Sequence, residues 1–208
     1  MRTSEEVIMK QLSLLVLCGL LLWPVTGLAA AAPHSLGGFV LGGEIDQFYD
    51  KLLMDTELPI RHLESLKEVE IKAVPGFKSG LVYYGTCLES RRIIRVKLKF
   101  EDESMAFFDR LIASYKKRFG DPLEWRGDPF GVVIAWKWSF TDQQNNKISL
   151  ILTHNTRDSD EKMGSYVKMT MTNLMEEEMA CFERKHPQPP ETQGQYSDRI
   201  DRRLFIPE

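Results

Sequence analysis

The residues best suited to covalent or metal chemistry are the cysteines at 18, 87 and 181 and the histidines at 34, 62, 154 and 186. Their spacing builds no familiar metal or nucleophile motif. There is no HExxH, no CxxC and no glycine-rich loop followed by Lys-Ser or Lys-Thr. No G-x-S-x-G elbow is present either. His154 shares an alternating face with Leu150 and Leu152, close in sequence to Asp158, Asp160 and Glu161. Without a closer ligand set it reads as a strand-end histidine beside a solvated turn. Asp and Glu are plentiful, so a carboxylate hydrolase stays open, but it would need two carboxyl groups converging in one pocket. The expectation is a protein without catalytic, cofactor-binding or metal-binding residues.

Binding chemistry has more candidates. Arg91, Arg95, Lys97 and Lys99 lie along one alternating segment and form a basic face suited to an anionic partner, such as a lipid head group or an acidic protein. Glu68 and Glu70 on a neighbouring strand would explain the same charges as ordinary cross-strand pairs. Trp136 and Trp138 share a face with Ile134 and Phe140, which places them in a core. Trp125, between turns, is the better exposed aromatic. Arg126-Gly127-Asp128 matches an adhesion tripeptide, but Gly-Asp-Pro occurs at both 120–122 and 127–129, which is turn chemistry.

The compartment follows from the N-terminus. Arg2 and Lys10 precede an apolar run from Leu12 to Trp23, then Pro24 and a small-residue stretch ending in Ala29 to Ala32. This is the layout of a secretory signal over residues 1–31. Glu5 and Glu6 are unusual there, and a start at Met9 gives a cleaner charged region. An uncleaved anchor is the competing reading, since Leu12 to Ala32 just reaches a spanning length. Cys18 follows Leu17 inside the apolar core and is a poor lipid-attachment residue. The expected location is the periplasm or the extracellular space. Cleavage leaves Cys87 and Cys181, which an oxidising compartment favours pairing. Net charge is −3, and no strongly basic domain argues for nucleic acid.

The elements that position these residues follow from periodicity. Ile45, Phe48 and Leu52, with Tyr49 or Leu53, predict a helix over 44–54. Strands are expected over 68–74, 81–87 and 91–100, where alternation leaves one face buried. Met105, Phe108, Ile112, Tyr115 and Phe119 define a helix ending at Gly120 and Pro122. Strands at 132–140, 147–155 and 166–172 and a last helix through Met175, Met179 and Phe182 complete the order. The local match FYDKLL at 48–53 and FFDRLI at 107–112 suggests duplication. The predicted fold is α+β, with helices packed on antiparallel sheet in two helix-plus-three-strand repeats. The first half spans 36–101 and the second 102–185. The Pro-rich polar tail, 186–208, is expected to be disordered.

A helix leading to Phe119-Gly120-Asp121-Pro122, then Trp136-Lys137-Trp138 and the strand Lys147 to Leu152, resembles modules of small exported bacterial proteins, namely the BamE-like lipoproteins and the β-lactamase inhibitor proteins. The sharper part covers about residues 105–155. The resemblance implies tandem α+β modules and a binding or scaffold role without catalysis. The leading expectation is an exported non-enzymatic protein that binds another envelope or secreted protein. The alternative is a carrier of a lipid or small apolar ligand, which requires a cavity between helix and sheet.

Overall fold

A computed structural model describes residues 31–156 and 164–187. The expected signal, most of the loop after β-residue Asn155 and nearly all of the Pro-rich tail lie outside the described residues. The chain opens with a small hairpin of β1 (Ser35–Leu36) and β2 (Phe39–Val40) and a 3-10 helix over Ile45–Lys51. Strands β3 (Leu52–Ile60), β4 (Leu63–Ile71), β5 (Phe77–Gly85) and β6 (Ile93–Phe100) follow as a meander. Helix α1 (Met105–Phe119) separates them from β7 (Glu124–Trp125), β8 (Val133–Thr141), β9 (Lys147–Asn155) and β10 (Tyr166–Met171), and α2 (Thr172–Lys185) closes the described chain.

The strands from β3 onward form one antiparallel sheet in the order β3-β4-β5-β6-β10-β9-β8-β7. This corrects the predicted fold class. The protein is mostly β, with an eight-stranded sheet, a separate two-stranded hairpin and only short helices. It is not built of helix-plus-three-strand repeats. The segments divided at residue 101 meet in the middle of the sheet, where Val96 pairs with Met169 and Leu98 with Val167. The described residues fall in one compact unit that begins at Ala31.

The main departure is at residues 44–54. Ile45 and Phe48 are buried three residues apart, a spacing that a 3-10 turn satisfies as well as an α-helix does. So short a segment gains little from helix propagation. Leu52 instead pairs with Ile71 across an antiparallel ladder. Pro59 is accommodated because β3 is an edge strand, where a missing donor is tolerated. The match behind the duplication therefore shares no structure: Phe48 to Lys51 lie in the 3-10 helix and Leu52 and Leu53 in β3, whereas Phe107 to Ile112 lie wholly in α1.

Helix α1 follows its sequence signals. Ser104 Oγ accepts from the Phe107 amide at 3.2 Å, Lys116, Lys117 and Arg118 occupy the last turn, and Gly120 takes the positive φ of 78° that ends the helix. Its inner side meets one face of the sheet. Phe108 stacks on His154 at 5.2 Å, and Tyr115 packs at a tilt against Trp138 at 5.6 Å. Val82, Val96, Leu98, Met169, Leu150 and Trp138 are buried in the same core. The N-terminal segment crosses this face too. Gly37 and Gly42, both at positive φ, lie against Leu98 and Met171, where a side chain would collide or crowd.

Candidate functional site: the open basic face of the sheet

The other face is polar because of strand alternation. On β6, Ile94, Val96 and Leu98 go to the core, so Arg95, Lys97 and Lys99 go to the opposite side. The register then places side chains from other strands beside them. Lys97 pairs with Lys168 on β10 and Leu81 on β5. Lys168 pairs with Ile151, and Ile151 with Lys137. One strand position away, Arg95 pairs with Thr170, and Thr170 with Ser149. Lys99 pairs with Tyr166, and Tyr166 with Thr153.

Beside this row the sheet surface forms an open concavity of about 380 Å³, lined by Arg95, Arg126, Lys137, Lys168, Thr153 and Thr170 together with apolar Val133, Ile151 and Met175. Its charges are unequally compensated. Glu124 on β7 holds Lys137 at 3.2 Å and Arg126 at 2.9 Å. Among the described residues, no carboxylate lies within ion-pair distance of Arg95, Lys97, Lys99 or Lys168. Arg95 donates to Thr170 Oγ1 at 3.0 Å and lies 5.3 Å from the Tyr83 ring, and Lys97 sits 4.3 Å over the Tyr166 ring. Burial lowers the Lys168 ammonium to about 8, assisted by repulsion from Arg95, Lys97 and Arg126. Burial also lowers Lys97, with repulsion from Lys99 and Arg95 adding to it and Glu68 opposing it. Thr153 is 1% exposed, and its Oγ1 has no hydrogen-bond partner among the described residues.

The predicted basic set is divided by the structure. Arg95, Lys97 and Lys99 share the open face. Arg91 lies before β6 and belongs to a separate polar cluster, where it donates to Tyr49 OH at 2.8 Å and Tyr84 OH at 2.9 Å, with Glu57 at 3.4 Å. Trp125 lies opposite Trp136 and stacks edge-on against it at 4.9 Å, on the side away from the basic row. Glu68 and Glu70 sit on β4, with β5 between them and β6, and they form no ion pair with the β6 cations. Periodicity alone predicts the strand over 166–172 that carries Lys168 and Thr170. What it lacked was the register that brings them to Lys97 and Arg95.

One end of the open face is covered by α2, which is fastened from several directions. Cys87 and Cys181 form a disulfide with a Cα separation of 5.9 Å. Glu178 is fully buried, and its Oε2 accepts from the amides of Cys87 at 2.8 Å and Leu88 at 3.2 Å. Lys185 Nζ donates to the Cys87 carbonyl at 2.8 Å. Met175, on the same helix, meets Arg95 and lines the concavity.

The remaining candidates resolve into structural roles. His154 is buried, its Nδ1 hydrogen-bonded with Ser165 Oγ at 3.1 Å, and burial lowers its pKa. Trp138 is buried and donates from Nε1 to the Gly120 carbonyl at 2.9 Å. In the adhesion-like tripeptide, Asp128 accepts from the Phe130 amide at 2.8 Å and from the Val132 and Val133 amides. These bonds hold its carboxyl below the usual range and commit it to its own turn. Between α1, the β1–β2 hairpin and the sheet is a cavity of about 260 Å³ lined by Leu36, Tyr115, Phe119, Leu150 and Met169. It falls below the ~300–1,000 Å³ common for ligand pockets. Among the described residues, no group of three His, Cys, Asp or Glu converges to hold a metal ion, and no helix is long and apolar enough to cross a membrane.

Fold and face together define a mostly antiparallel-β protein with a cationic, hydroxyl-lined sheet surface. Comparison of the chain with protein-family models, curated proteins and solved structures found no match.

Proposed function

We propose that this chain is an exported, non-enzymatic binding protein that holds an acidic envelope or secreted protein against the open face of its sheet. The carrying observation is the row Arg95, Lys97, Lys99 and Lys168, gathered from two central strands without a nearby carboxylate among the described residues. Uncompensated charges of one sign on a concave surface attract an oppositely charged partner and steer its approach. The signal-like N-terminus and the Cys87–Cys181 bond both support action in an oxidising compartment.

The immobilised protein is expected to retain an acidic protein from the native envelope or secreted fraction at low salt and to release it as salt rises. The Lys97→Glu/Lys99→Glu variant should lose that retention. Retention unchanged in this variant, or no acidic protein retained at low salt, would overturn the assignment.

A further inference from the structure

We propose that the concavity on the open face is a phosphate-monoester pocket, in which Lys168 and Arg95 meet the phosphate charge and Thr153 donates a hydroxyl hydrogen bond. The proposal rests on the open face being the binding surface, and it specifies the group that the acidic partner inserts there.

The register carries the first part of the case. Lys97 and Lys168 are direct cross-strand partners, an arrangement that destabilises a sheet when like charges are left uncompensated. Arg95 adds a third cation without a carboxylate within ion-pair distance among the described residues. Arg126 and Lys137, on the far side, are already held by Glu124. A single carboxylate would leave two of the three central cations facing each other. A phosphate monoester carries about −1.5 to −2 charge near neutral pH and three acceptor oxygens, which matches that surplus.

Thr153 carries the second part. A buried hydroxyl without a partner costs free energy, yet Thr153, one of the residues lining the concavity, keeps its Oγ1 in that state among the described residues. Ser149 and Thr170 line the same space. Hydroxyl donors beside ammonium and guanidinium groups suit a ligand that presents only acceptors. The volume of about 380 Å³ admits a phosphorylated side chain. A polyphosphate chain is disfavoured by the net charge of −3.

The test titrates the full chain with a phosphoserine peptide, its unphosphorylated form, its serine-to-aspartate form and inorganic phosphate, by isothermal calorimetry. The phosphopeptide is expected to bind at least tenfold more tightly than the aspartate peptide, with inorganic phosphate competing. Lys168→Gln should weaken binding at least tenfold. Thr153→Val, which keeps the shape and removes the hydroxyl, should weaken it several-fold without lowering the melting temperature. Affinity should fall as pH rises past 8, where Lys168 loses its charge. Inorganic phosphate binding that Lys168→Gln abolishes, with the peptide adding nothing, supports the pocket and makes a free phosphate compound its source. Equal binding of the aspartate and phosphoserine peptides overturns the pocket and leaves the acidic-partner reading standing. No binding by any probe overturns the pocket, whereas the acidic-partner reading falls only if the retention experiment fails as well.

Discussion

Lys97 and Lys168 stand directly opposite each other on adjacent antiparallel strands at the centre of the sheet, with no carboxylate within ion-pair distance of either among the described residues. Sheets ordinarily avoid this pairing, because like charges at opposed positions repel. Natural sequences break such local rules chiefly at functional sites. The pair therefore marks the part of the surface where a stability cost is maintained.

That cost has a measurable pH signature. The Lys168 ammonium titrates at about 8 in the folded protein, against 10.5 ordinarily. Between those values the unfolded chain binds more protons than the folded one, so stability rises with pH across that window. Lys168→Met is expected to raise the melting temperature at pH 7 by a few degrees. The advantage should shrink as pH rises through 8 and toward 10. Calorimetry at pH 7 and 9.5 checks this, and a lower melting point for the variant at pH 7 would refute it.

The disulfide closes a loop with a sequence separation of 94. In the chain-entropy account, a loop of that size contributes about 4–5 kcal/mol to stability. Cys87→Ser/Cys181→Ser should lose roughly that amount in urea denaturation, and amide exchange should accelerate first in α2. Thiol labelling of the folded protein should leave Cys87 and Cys181 unmodified.

Glu178 and Gly85 are coupled by contact. A side-chain carbon at residue 85 would overlap the Glu178 carboxylate, which is fully buried and held by the amides of Cys87 and Leu88. Gly85→Ala is expected to cost about 1–3 kcal/mol through overpacking. Glu178→Ala should cost about 1–3 kcal/mol by leaving those amides unsatisfied. The double variant should cost less than the sum, since removing the carboxylate clears space for the methyl group. Strict additivity would show that the two residues act separately.

Two aromatic residues, Trp138 on β8 and Phe130 in the loop between β7 and β8, should behave in opposite ways. Trp138 is 2% exposed and Phe130 is 90% exposed. Trp138→Ala should destabilise the protein by about 3–5 kcal/mol, whereas Phe130→Ser should stay within about 0.5 kcal/mol of the parent. Chemical denaturation distinguishes them, and a large loss for Phe130→Ser would place that residue in an unrecognised contact.

The residues of the sequence by themselves determined the local periods and little beyond them. Alternation in β6, β8, β9 and β10 assigned each side chain to a face, and the stripe from Met105 to Phe119 with its Gly120 stop defined α1. These features survive because strand alternation and helical stripes are properties of consecutive residues. The segment 44–54 was ambiguous because its buried pair, Ile45 and Phe48, fits either kind of helical turn, and only Leu52 pairing with Ile71 turned its end into strand. The candidate site was half legible: Arg95, Lys97 and Lys99 lie on one strand. Lys168, Thr153 and Ser149 come from strands 50 or more residues away in the chain, and Arg91 and Trp125 leave the set for other surroundings. Tertiary structure decided this because strand order and register arise from non-local pairing. Joining β6 to β10 made one sheet out of two expected modules and set Lys97 against Lys168.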